Sequence, residues 1–156
     1  MNDLHKNKKF HVGKFTITDK NGILSFVGIV EVTASFTKAL FWIYFDQFVG
    51  EKKGSVAFDS IALRSFAIAL KEISYGTTSS YKKISGGNGP IKEIIVTPLE
   101  RYVLIQYKHL QTDIQFMLDI SSLLALTDEI EKLIDITVES TYKTQQYILN
   151  KKRKNR

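Results

Sequence analysis

The residues that most often carry catalysis give little to work with in this chain. Its three histidines, His5, His11 and His109, lie near the N-terminus or in a turn and lack metal-ligand spacing. No Ser–His–Asp arrangement can be read, and the acids of the second predicted helix fall on what reads as its solvated face. The stretch "SGGNGP" (85–90) lacks the Lys-Ser/Thr ending of a phosphate loop and reads as a connector. Gly13–Lys14 is followed by Phe15 and fails the same pattern. The absence of cysteine excludes disulfides and thiolate chemistry. The expectation is a protein that is not an enzyme and uses no metal and no cofactor.

The chain instead offers aromatic rings and ammonium groups at strand spacing. Alternate side chains of a strand face opposite sides. "RYVLIQYK" sets Tyr102, Leu104, Gln106 and Lys108 against Arg101, Val103, Ile105 and Tyr107. "LFWIYFD" sets Trp42 and Tyr44 against Phe41, Ile43 and Phe45. "GKFTITD" alternates Lys14, Thr16 and Thr18 with Phe15 and Ile17, and "SSYKKIS" adds Tyr81, Lys82 and Lys83. One face of each sheet reads as apolar, while the other mixes rings, hydroxyls and lysines. Such a mixture suits an unpaired polynucleotide: rings stack on bases at about 1–3 kcal/mol each, and ammonium groups neutralise phosphates. The residues expected to make contact are Lys14, Thr16, Trp42, Tyr44, Tyr81, Lys82, Lys92, Tyr102, Gln106 and Lys108. Lys151, Lys152 and Arg153 of the tail would add long-range attraction. The rival reading buries the same rings between subunits of a protein-interaction or structural module.

The elements that must position these residues repeat. "FDSIALRSFAIALKEI" (58–73) and "LDISSLLALTDEIEKL" (118–133) align at a constant spacing of sixty, matching Asp59 with Asp119, Leu63 with Leu123 and Leu70 with Ile130. Leu63, Phe66, Ala67, Leu70 and Ile73 form one helical stripe; Leu123, Leu126, Ile130, Leu133 and Ile134 form another. Asp59 or Ser60, and Asp119 or Ser121, are positioned to accept from first-turn amides. Four strand-like segments precede each helix. In the first half they are "GKFTITD", "ILSFVGIVEVTAS", "LFWIYFD" and "SVAF", with turns at "KNG" and "EKKG". In the second they are "SSYKKIS", "KEIIVTP", "RYVLIQYKH" and "TDIQFML". The fold class is therefore α+β: two ββββα repeats, antiparallel sheets packed together with helices on one side. A repeated unit of this kind buries its apolar faces against its neighbour. Beyond residue 135 the apolar rhythm continues through Thr137, Val138, Thr141, Ile148 and Leu149. That leaves two options, one helix running toward residue 150 or a break near Ile136–Val138, where β-branched residues weaken helix propensity.

Length and charge complete the expectation. The 156 residues divide into a basic N-terminal arm (1–9), a first repeat (10–75), a second repeat intertwined with it (76–135), and a helical extension with a basic tail (136–156). The net charge of +6 is uneven: "KKRKNR" holds five cations, residues 10–112 hold twelve against eight acids, and residues 113–150 hold two against seven. Neither a secretory leader nor a membrane span is legible, so a cytoplasmic location is expected. Lysine outnumbers arginine 18 to 4, a bias that fits an AT-rich bacterial or phage genome.

At this point the chain resembles the Whirly family and its relatives, the Pur-domain proteins, the kinetoplastid guide-RNA-binding pair and the positive-cofactor-type coactivators. The resemblance spans residues 10 to 135. In "VGKFTI", Gly13 and Lys14 match the family's Lys-Gly-Lys-Ala-Ala-Leu strand, while Val12 replaces the first lysine and Phe15–Thr16 replace the alanines. "KEIIVTPLERYVLIQYK" and "TDIQFMLDISSLLAL" look like the family's later strands and final helix. The resemblance implies a single-stranded DNA-binding protein, with RNA as an open alternative, showing little sequence preference. It also implies a homo-dimer or homo-tetramer, and carries a nucleic-acid contact to Lys14 alone. Replication or recombination in a phage or bacterium is the expected setting, with transcription regulation as the alternative.

Overall fold

The turn at residues 19–22 shows how local chemistry fixes the first sheet. The Asp19 carboxylate accepts from the backbone N–H groups of Asn21 (2.7 Å) and Gly22 (2.8 Å), closing "DKNG" into an Asx-type turn. Its second oxygen accepts from the Met117 N–H at 3.0 Å, so the same residue ties this hairpin to the other half of the chain. In the computed structural model, which describes residues 7–85 and 89–155, β1 (Lys8–Thr18), β2 (Gly22–Val32), β3 (Thr37–Gln47) and β4 (Lys52–Phe58) form an antiparallel sheet in chain order. Helix α1 (Ser60–Ser74) follows, and Asp59 is its cap, accepting from the Ala62 N–H at 2.7 Å. The second half repeats the plan with β5 (Tyr81–Ser85), β6 (Lys92–Pro98), β7 (Tyr102–His109) and β8 (Thr112–Asp119), again antiparallel and in order, then α2 (Leu123–Lys154). The α+β class and the two ββββα units expected from the sequence are the architecture observed.

Strand boundaries differ from expectation at two places. Lys8 and Lys9 belong to β1 and pair with Val32 and Glu31, so these two residues of the expected N-terminal arm are sheet. The turn before β4 is Phe48–Glu51, with Gly50 at φ 81°, and "KKG" continues the strand instead of turning. Gly50 supplies the positive φ at no steric cost.

The inner faces of both sheets and both helices share one core. The five predicted stripe residues of α1 are all buried, and so are Leu123, Leu126, Ile130, Leu133 and Ile134 of α2. Phe15 stacks on Phe26 at 4.7 Å within the first sheet, and Phe45 meets Tyr107 at 5.3 Å across the two sheets. Helix α2 lies on β1, β2 and β3, the sheet of the other half. Gly28 makes that seat: a Cβ there would fall 2.1 Å from the Thr137 hydroxyl.

Of the two options for α2, the structure takes the single helix. It runs unbroken through Ile136–Val138 for 32 residues, about 48 Å. Threonines that would weaken it donate their hydroxyls one turn back: Thr127 to Leu123, Thr137 to Leu133, Thr141 to Thr137 and Thr144 to Ser140. An i,i+4 ion pair of Glu139 with Lys143 (3.0 Å) adds to this, and four cations in the last turn complement the helix dipole. No helix among the described residues is long and apolar enough to cross a membrane.

Candidate nucleic-acid interface

Register assigns every strand residue to a face. On the outer face of the first sheet, cross-strand pairing aligns Lys14, Val27, Trp42 and Ala57 in one row and Thr16, Ser25, Tyr44 and Ser55 in the next. A third row holds Thr18, Ile23, Asp46 and Lys53. Trp42 and Tyr44 sit two residues apart on β3 and stack side by side, with centroids 6.0 Å apart and planes at 23°. Tyr44 is 39% exposed. A shallow depression of about 520 Å³ lies beside them, lined by Lys14, Thr16, Ser25, Tyr44, Asp46 and Lys53 among others. The arrangement gives an open trough holding the Tyr44 ring, a row of hydroxyls and two cations, with Trp42 stacked on Tyr44 beside it. Neither Lys14 nor Lys53 takes part in an ion pair among the described residues.

Lys14, Thr16, Trp42 and Tyr44 are thus brought together as the alternation predicted. Lys82, Tyr102, Gln106 and Lys108 share the outer face of the second sheet, in a different electrostatic setting. Lys82 pairs with Glu93 at 3.2 Å, Lys108 lies between Glu93 and Asp113 in register, and Tyr102 faces Asp119. Asp119 is held below the usual carboxylate range by the Ser121 backbone N–H and hydroxyl, so it stays charged beside that ring. The cations of this face are matched by acids.

Two expected contacts belong elsewhere. Tyr81 does not share the outward face of Lys82: it turns inward and packs edge-on against Phe66 at 5.3 Å, where burial pushes its hydroxyl pKa up. Lys92 also turns inward and donates to the Ser55 carbonyl at 3.0 Å, joining β6 to β4. Both follow from strand parity, since each lies an odd number of residues from an outward neighbour. Lys83 shares that inner side, its ammonium 4.0 Å from the centre of the Phe58 ring. Burial lowers the Lys83 pKa against the pull of Asp59. Lys151, Lys152 and Arg153 occupy the exposed last turn of α2. His5 and the connector residues Gly86–Asn88 lie outside the described residues. Sequence reasoning missed Lys53 and Asp46. The sequence reads Lys53 as part of the "EKKG" turn, and the signal that relocates it is the glycine at position 50, a better turn residue than the lysines after it.

A chain of two four-stranded antiparallel sheets, each closed by a helix, with the second helix laid on the first sheet, defines the Whirly-like α+β class. No family model matches the sequence. No curated protein matches it either. Solved structures do match. WHY1 from Arabidopsis thaliana superposes with a TM-score of 0.55 at 11% identity, covering 83% of this chain and 92% of that one. The plant transcriptional regulator PBF-2 gives 0.54 at 11% identity, with 88% of each chain covered. WHY3 from Arabidopsis thaliana gives 0.53 at 8% identity, covering 87% and 94%. At such identities the likeness is one of fold.

Proposed function

We propose that this chain binds single-stranded DNA, with the outer face of the β1–β4 sheet as its platform. The observation that carries the reading is the stacked pair of exposed Tyr44 and half-buried Trp42, flanked by Lys14 and Lys53 and bordered by Thr16, Ser25 and Ser55. Rings of this kind stack on any base, and the hydroxyls and cations serve sugar and phosphate, so binding is largely independent of sequence. A duplex hides its base faces and leaves only the cations to act. The Whirly-like fold and the sequence resemblance support the same reading. Alongside it we propose a homo-oligomer, supported by the exposed apolar residues Val138, Tyr142 and Leu149 on one side of α2. A non-catalytic role in phage or bacterial replication or recombination, in the cytoplasm, completes the proposal. Transcription regulation is the alternative, supported by the likeness to PBF-2.

The test is a gel shift comparing single-stranded DNA, duplex DNA and RNA of one sequence, read together with Trp42 fluorescence. Retardation of single strands with quenching is the expected result. Equal or tighter binding to duplex would refute the single-strand reading. An unchanged Trp42 signal with no shift would favour the protein-interaction module.

A further inference from the structure

The trough on the first sheet contains one group that works against a pure phosphate-binding surface. Asp46 lies two residues beyond Tyr44 on β3, about 7 Å along the same face. Its carboxylate accepts no hydrogen bond and joins no ion pair among the described residues, although Lys53 is its register partner across β3–β4. A carboxylate repels phosphate, so at this position it weakens backbone binding. It can, however, accept from the edge of a base. A base stacked on Tyr44 with its edge turned along β3 toward the next row presents that edge to Asp46. Cytosine offers the N4 amino donor there, whereas thymine offers the O4 acceptor in the same place. Lys53, beside the carboxylate, remains available to the neighbouring phosphate.

We propose that Asp46 is a specificity-determining residue, giving the interface a preference for bases that carry an exocyclic amino group over thymine. This rests on the single-strand reading above and adds base discrimination to it. The two pyrimidines make a clean comparison, because their rings are of one size and stack on Tyr44 alike.

The experiment measures the affinities of oligo-dC and oligo-dT of equal length for the full chain and for D46A and D46N, at one salt concentration. Wild type is expected to favour oligo-dC by about fivefold for each base that Asp46 contacts, the low end for a side chain reading a base edge. D46A should bring the ratio close to one. D46N should also bring it close to one, because its amide donates to thymine O4 and raises oligo-dT affinity. Far-ultraviolet circular dichroism of both variants shows whether the sheet is intact, and two variants of different chemistry guard against one that misfolds. Equal wild-type affinities would overturn the inference and leave the platform standing. Retention of the preference by both variants would do the same. Failure of both oligonucleotides to bind would overturn the platform itself, and the role of Asp46 with it.

Discussion

Gly28→Ala tests whether the two halves are interlocked as described. Glycine inside a strand is usually a weakness, and replacing it by alanine at an unconstrained site stabilises by about 0.5–1 kcal/mol through chain entropy. At Gly28 the sign should reverse. The new Cβ would sit 2.1 Å from the Thr137 Oγ1, and 3.2 Å from both the Leu133 Cδ1 and the Thr137 Cβ. Thr137 is fully buried, and its hydroxyl donates to the Leu133 carbonyl at 2.7 Å. One escape rotates the hydroxyl away and leaves it unsatisfied, at about 1–3 kcal/mol. The other lifts α2 off the first sheet, an overpacking cost of about the same size. The expected loss is therefore about 1–3 kcal/mol, read as a lower urea midpoint at unchanged slope and fixed protein concentration. Thr137→Ala removes the obstructing oxygen, so Gly28→Ala in that background should be close to neutral. The resulting coupling of about 1–3 kcal/mol is specific to a contact between the helix of the second repeat and the sheet of the first. Thr137→Ser keeps the oxygen and should not rescue. A stabilising Gly28→Ala, or equal effects in both backgrounds, would refute the seat and the interlocking built on it.

Further outcomes follow from the site. Tyr44→Ala and Trp42→Ala should each weaken oligo-dT binding by about 1–3 kcal/mol in fluorescence anisotropy, while Tyr102→Ala, beside Asp119 on the other sheet, changes it far less. Lys14→Ala and Lys53→Ala should each flatten the plot of log K against log salt by about 0.7, the value for one phosphate contact on a single strand. Lys92→Ala should leave that slope alone and lower stability instead, because its ammonium holds the Ser55 carbonyl. Burial raises the Tyr81 pKa, so its contribution to stability is full below the unfolded tyrosine pKa, about 10, and is lost as pH rises through the folded value. Tyr81→Phe should accordingly flatten the alkaline limb of the stability profile, and an unchanged limb would place the ring in solvent.

The helices were legible because their apolar spacing is regular and their caps are polar. Leu63, Phe66, Leu70 and Ile73 stand at positions that only an amphipathic helix brings onto one side, and all four are buried. Strand faces were legible in β3 and β7 because apolar residues recur at every second position, Phe41, Ile43 and Phe45 in one and Val103, Ile105 and Tyr107 in the other, and all six are buried. Where alternation weakens, so did the reading. "KKG" in β4 lacks apolar residues, so a strand there is fixed by pairing with Phe45–Gln47 and cannot be seen locally. The length of α2 was open because its β-branched residues oppose helix, and the threonine hydroxyl bonds that offset them depend on the helix already being formed.

The candidate site was legible only in part, and the part that failed shows what decides function on a duplicated scaffold. Composition marks lysines and rings, but the partner across the strand decides whether a cation is free to meet a phosphate. Both repeats present outward lysines on equivalent sheets, yet Lys82 is paired with Glu93 and Lys108 is bracketed by Glu93 and Asp113 in register. On the first sheet, Lys14 stands opposite Val27, and the row beside it carries only hydroxyls and Tyr44. Exposed ion pairs contribute little to stability, so the acids of the second sheet are poorly explained as braces. On the proposed single-strand reading, their effect is to cancel a surface that would otherwise compete for the same polyanion. Duplication thus supplies two scaffolds, and cross-strand pairing leaves Lys14 without an acid on the first, although Glu31 takes Lys9 and Lys38 there and Asp46 faces Lys53 in register. If that is right, replacing Glu93 by glutamine, a change that frees Lys82, should raise affinity for oligo-dT and steepen its salt dependence through the second sheet.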